Sequence, residues 1–260
     1  MAEKFNVKWS REETIVAYDL YCRIAFSKIS KTNKDVIALA EILGRTPSSV
    51  GLKMANLAHY DPALKEKNIK GMANASKLDK EVVEEFYNDW TSLSYLAKEI
   101  LANYKHVSVE DLITDIHING LPSGIDIERS IKTRVGQQFF RSTILTAYNN
   151  ACCITGIRQQ ELLIASHIKP WRDSNEKTER TNPMNGLCLN ALHDKAFDRG
   201  LITIDKNYRI ILSKRLKDVY MDENTRNWFN SYENQKITMP DKFIPGREFI
   251  EYHNDMIFQG

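Results

Sequence analysis

Three residues in the C-terminal half carry side chains suited to chemistry. His167 closes the apolar run LLIAS, Asn185 stands before Gly186, and His193 is followed at once by Asp194. A neutral imidazole can take up a proton near pH 7, and imidazole and carboxylate both hold divalent metals. Taken singly, each has an ordinary structural role: a histidine at the end of an apolar strand is as readily a core residue as a reagent. The spacing changes that reading, with Asn185 lying 18 residues after His167 and His193 a further 8 on.

The elements that must hold them can be read locally. ELLIASHI reads as a strand, KPWRDSNEKTERTNPMN as a long polar loop and GLCLN as a second strand. Asn190 is then placed to cap the helix ALHDKAFD, which Gly200 ends. Two antiparallel strands with a helix across them bring the three positions together.

The same spacing, with the blocks RVGQQFF, CCITG, ASHIKPW, NPMNGLCLNALHDKAFDRGLITID and EYHNDMIF, resembles the HNH, or ββα-metal, endonucleases of bacterial restriction and phage defence over about residues 134–258. The resemblance implies a metal-dependent DNA endonuclease. His167 is then the general base that takes a proton from the attacking water. One divalent metal per active site, Mg²⁺ or Mn²⁺, offsets charge on the phosphate and the leaving oxygen. The motif's helix histidine is His193, which makes it the metal ligand; a comparison slid by one residue gives that role to Asp194, with Asp198 four residues on. Asn185 either staples the loop through backbone hydrogen bonds or ligates the metal. Two departures stand out. The CxxC pairs that hold structural zinc in many such fingers are missing, so structural zinc is not expected. Ser166 occupies the position before the base, where related enzymes often carry Asp or His.

Arg134, Gln137 and Arg141 share one face of the preceding helix, expected from about Gln137 to Tyr148, and can grip phosphates or simply form a solvated face. Lys169, Arg172 and Arg180 are similarly available from the loop. A nuclease finger cuts one strand at a time, so cleavage of double-stranded DNA implies two protomers in a twofold homodimer.

The N-terminal half reads as helical. Ser10 and Glu13 have capping-box spacing before a helical apolar pattern, DVIALAEILG stops at Gly44, and Thr46–Pro47 opens another helix. In a helix-turn-helix reading, Ser48, Ser49 and Lys53 face DNA while Val50, Leu52 and Leu57 hold the core. The alternative is a plain three-helix bundle. The stretch from Trp9 to about Asn56 resembles Myb/SANT or homeodomain trihelical domains. The expected fold is therefore α+β: a helical, helix-turn-helix-like domain at 1–118 for DNA recognition, a linker at 119–130 rich in Gly, Pro and Ser, and an HNH nuclease domain at 131–260.

Composition sets the outer bounds. A chain of 260 residues with 42% hydrophobic and 27% charged residues is ordinary for a soluble globular protein. Residues 1–80 carry 14 Lys and Arg against 9 Asp and Glu, so a net charge of only +2 hides a basic excess that a polyanion would meet first. The N-terminus has no apolar signal region and no window is long enough to span a membrane, which points to the cytoplasm. The four cysteines, Cys22, Cys152, Cys153 and Cys188, are expected to be reduced thiols. Two rival functions remain at this level: a non-catalytic DNA-binding module built on the same finger, and a structure-selective or RNA-cleaving nuclease.

Overall fold

The structure, a computed structural model, describes residues 7–62, 64, 75–113 and 125–260. The chain divides into two compact units, Met1–Thr143 and Ile144–Gly260. The division falls inside the helix Ile125–Ala147, so residues 125–130 of the expected linker are helical, while residues 119–124 lie outside the described residues. That helix begins well before the expected Gln137.

Unit 1 is all-helical among its described residues. Helix α1 (Arg11–Arg23) opens with a complete capping box: the Glu13 amide donates to Ser10 Oγ and the Ser10 amide to the Glu13 carboxylate. Helix α2 (Lys34–Leu43) ends at Gly44, whose φ of 65° a residue with a side chain adopts only at a cost. Thr46 then caps α3 (Pro47–Leu57), with Pro47 at its first position. Two further helices follow, α4 (Lys77–Phe86) and α5 (Trp90–Lys105), separated where Asp89 caps the second. Ile15, Val36, Val50, Met54, Val82, Trp90 and Leu93 form the interior, and the long helix α6 (Ile125–Ala147) adds Phe139, stacked on Trp90.

Two residues of α3 lie on faces opposite to those expected. Lys53 is 5% exposed and paired with the fully buried Asp79, whereas Leu52 is 50% exposed. The cause is helical spacing: Val50, Lys53, Met54 and Leu57 fall on one stripe, and that stripe faces the core. The Asp79 carboxylate meets the Lys53 ammonium there, and Trp9 lies under it at 5.0 Å. It is therefore not a surface group that meets DNA. Ser48 is exposed and Ser49 half-buried, in the first turn of α3.

Unit 2 is α+β. Strands β1 (Leu163–His167) and β2 (Gly186–Asn190) pair antiparallel, with His167 opposite Gly186 and Leu163 opposite Asn190. Helix α7 (Ala191–Asp198) follows β2 directly and packs on the strand pair. A second hairpin, β3 (Ile202–Ile204) with β4 (Ile210–Leu212), leads to α8 (Lys214–Asp218), α9 (Glu223–Asn230) and α10 (Arg247–Met256). At Gly200 the chain passes so close to α10 that a Cβ would stand 2.0 Å from the Ile257 carbonyl oxygen, and φ is +65°. Glycine is required there on both counts. Cys152, Cys153 and Cys188 are buried thiols, and burial pushes the Cys153 thiol well up. Among the described residues no helix is long and apolar enough to cross a membrane.

Candidate active site

Antiparallel pairing places the end of β1 beside the start of β2, so the 17 residues between His167 and Asn185 close into a loop pinned at its base. Asn185, 0% exposed, is the pin. Its Oδ1 accepts from the Lys169 amide at 2.8 Å, and its Nδ2 faces the Lys169 carbonyl, Ser174 Oγ and the Glu179 carbonyl at 3.2–3.3 Å. A metal requires a carbonyl oxygen turned toward it; this one is buried and turned to the loop backbone. Of the two readings of Asn185, the geometry is that of the staple.

The loop it holds is ordered by its own polar groups. Glu179 accepts from Lys169 Nζ at 2.7 Å and from the Asn175 amide at 2.6 Å, and these contacts hold its carboxyl below the usual range against the effect of burial. Arg180 lies over the Trp171 ring at 5.2 Å and donates from Nε to the Trp171 carbonyl. Lys169 is thus engaged in an ion pair, while Arg172 is 81% exposed beside Asp173.

This loop positions His167. Its Nε2 lies 2.8 Å from the Arg180 carbonyl oxygen, and Trp171 meets the ring edge-on at 5.5 Å. A carbonyl only accepts, so Nε2 carries the proton and the lone pair of the neutral ring is on Nδ1. Burial lowers the imidazole pKa below its ordinary value, partly offset by the Arg180 carbonyl. The Arg180 carbonyl thus fixes the orientation of the His167 ring.

Strand alternation turns the preceding residue, Ser166, the other way, toward α7. Ser166 is 2% exposed and its hydroxyl completes no hydrogen bond, although it lies near enough to the Asp194 carboxylate to lower its pKa. Asp194 is half-buried and Asp198 follows four residues on, on the same helical face. Burial raises both carboxyls, and the Asp194 charge raises Asp198 further. Ser166 thus lies beside Asp194, with Asp198 one helical turn on, and all three carry the oxygen donors that hard divalent cations take.

His193 is placed elsewhere. Asn190 caps α7 by accepting from the Leu192 and His193 amides through Oδ1, which leaves its Nδ2 to donate to His193 Nδ1 at 2.9 Å. The capping fixes the amide orientation and hence the ring tautomer: Nδ1 accepts, so Nε2 holds the proton. The ring is 1% exposed, with Trp228, Phe229 and Tyr232 around it at centroid distances of 4.7–5.7 Å. Burial lowers its pKa to about 4. With Nδ1 accepting from Asn190 and the ring enclosed, neither nitrogen offers a lone pair to an ion, and the expectation that His193 holds the metal does not match this geometry.

His253 ties this element to the rest of the unit. It stacks on Phe197 at 3.7 Å, lies 3.1 Å from the Phe197 carbonyl through Nε2, and meets Thr203 Oγ1 through Nδ1 at 2.8 Å. Burial takes it, too, to about 4. The EYHNDMIF block thus packs on α7 through Phe197. Arg134, Gln137 and Arg141 are exposed on one face of α6 and belong to unit 1.

Residues 152–205 match the family model described as HNH endonuclease. The match begins in the turn before β1 and ends after β3, so it contains His167, Asn185, His193, Asp194 and Asp198, while His253 and the rings around His193 lie beyond it. Among solved structures, a modification-dependent TagI restriction endonuclease is similar at 16% identity and a TM-score of 0.28, over 45% of this chain and 37% of that one. The chain thus spans well under half of that protein's length. No curated protein matches.

Proposed function

We propose, from the premise that residues 152–205 carry an HNH endonuclease domain, that this chain is a metal-dependent endonuclease hydrolysing DNA phosphodiesters to 5′-phosphate and 3′-hydroxyl ends. The observation that carries the reading is the orientation of His167: its Nε2–H is given to the Arg180 carbonyl, so that Nδ1 takes the proton of an attacking water. As the water oxygen bonds to phosphorus and the bond to the 3′-oxygen breaks, the imidazolium is held by that same carbonyl. The Asn185 staple keeps the loop, and with it the Arg180 carbonyl, in place during the step.

Asp194 and Asp198, with the Ser166 hydroxyl, are the groups that would hold the metal. When bound, Mg²⁺ or Mn²⁺ neutralises charge on the phosphate and leaving oxygens. Three oxygen donors leave room for water and phosphate ligands, as Mg²⁺ prefers. Arg172, exposed on the loop, is suited to a neighbouring phosphate of the backbone, and Arg134, Gln137 and Arg141 to further ones. Ser48 and Ser49, in the first turn of α3, are the groups of the helical unit best placed to read base edges.

The substrate in this reading is double-stranded DNA, the setting is restriction of foreign DNA in the cytoplasm, and two protomers act on the two strands as a homodimer. In this reading the helical unit, which runs to Thr143, does the recognition and the unit from Ile144 carries the nuclease. The test is cleavage of plasmid and phage DNA, with and without base modification, in Mg²⁺, in Mn²⁺ and in chelator, beside an RNA of matched sequence. Metal-dependent cutting of DNA supports the reading; cutting of RNA alone, or binding without cutting in every metal, overturns it in favour of an RNA nuclease or a non-catalytic binding module.

A further inference from the structure

Unit 1 contains a cavity of about 190 Å³ where α1, α5 and α6 meet, lined in part by Asp19, Arg23, Ser94, Lys98, Gln138 and Phe139. Its charges do not cancel. The Asp19 carboxylate is engaged by both Nε and Nη2 of Arg23. Lys98 is half-buried, and the protein atom nearest in line with its ammonium is the Leu112 carbonyl oxygen, at 3.5 Å. Among the described residues no carboxylate lies within ion-pair distance of it. Burial and the nearby Arg23 charge lower its pKa, and the Asp19 carboxylate offsets this only in part. The Gln138 carboxamide adds a donor, and Phe139, stacked on Trp90, closes one wall with an apolar face.

We propose that this cavity binds a small oxyanion of the phosphate class, with Lys98 as its principal counter-charge and Arg23 and Gln138 as further donors. Two cations against one carboxylate give the site its sign. Its volume, below the roughly 300–1,000 Å³ of drug-sized pockets, limits the occupant to an ion or the phosphoryl end of a larger molecule. An anion there joins groups from three helices, so binding stabilises the helical unit by linkage. The site is independent of the chemistry assigned to His167.

The test is thermal unfolding and titration calorimetry of the full chain with inorganic phosphate, against sodium chloride at equal ionic strength. A nucleoside monophosphate forms a second arm: saturation at lower concentration than phosphate assigns the phosphoryl end of a larger molecule, and equal affinity assigns the free ion. Phosphate should raise the melting temperature in a saturable way. Lys98→Met should abolish that rise, Lys98→Arg should retain it, and His167→Ala should leave it intact, which separates this cavity from the nuclease site. Gln138→Glu, which adds a carboxylate at the cavity wall, should weaken binding at least tenfold and provides the test should Lys98→Met fail to fold. A phosphate response no larger than that of chloride, or one unchanged by Gln138→Glu and Lys98→Met, overturns the proposal.

Discussion

The side-chain nitrogen of Asn190 donates to Nδ1 of His193 at 2.9 Å, because the Asn190 oxygen is already committed to the first amides of α7. A helix cap thereby sets a histidine tautomer and withdraws that histidine from metal chemistry. His193→Ala should accordingly unfold the protein more easily, by about 2–4 kcal/mol from the lost burial and the orphaned cap amide. The variant that remains folded should need no more metal than the parent. A metal titration of cleavage, run beside a urea melt, checks both halves.

Asp194→Asn and Asp198→Asn should behave in the opposite way. Each removes a carboxylate from the group suited to a cation, so the metal concentration for half-maximal cleavage should rise about 10-fold or more. Because the Asp194 charge raises the Asp198 pKa, Asp198→Asn should leave the metal-free protein at least as stable as the parent. Equal metal requirements in all three proteins would remove both residues from the site.

Stability should fall as the solution becomes acidic. His193 and His253 have folded pKa values of about 4 against an ordinary 6.5, so below pH 6.5 the unfolded chain binds protons that the folded chain refuses. The loss therefore begins near 6.5, grows as pH falls and levels off below about 4. His253→Gln should flatten part of that slope in melting temperatures recorded from pH 7.5 to 4.

Lys53→Ala should cost about 3–5 kcal/mol, since it leaves the Asp79 carboxylate buried without its partner. Substituting both, Lys53→Met with Asp79→Leu, should recover much of the loss. Neither change should alter the salt dependence of DNA binding by folded protein, because Lys53 meets no phosphate; a slope reduced by about one unit would place it at the DNA after all.

What was legible in the sequence was what short-range chemistry decides. The capping box at Ser10, the Thr46–Pro47 helix start, the Gly44 stop and the run from β1 through α7 all follow from residues within a few positions of one another. The faces of helices were harder. Lys53 lies on the buried stripe of α3 because Asp79, 26 residues on, supplies its counter-charge. His193 is enclosed by Trp228, Phe229 and Tyr232 of the later α9 and its following turn, which local spacing around the motif does not reveal. The one-residue ambiguity between His193 and Asp194 was visible in the sequence, and only the packing of α7 distinguishes them. Nor could spacing tell that Arg180, at the far end of the loop, would supply the carbonyl that orients His167.

In the proposed reaction His167, oriented by the Arg180 carbonyl, is the base that activates water. The direct measurement is the single-turnover rate of plasmid cleavage by His167→Ala at saturating metal, with DNA affinity and melting temperature recorded on the same protein. The rate should fall by about 10²- to 10⁴-fold with near-parental DNA affinity and metal requirement, and the parent should show an acid limb below pH 6.5 that reflects the lowered imidazole pKa. A His167→Ala protein that cuts at the parental rate with unchanged pH dependence would contradict it.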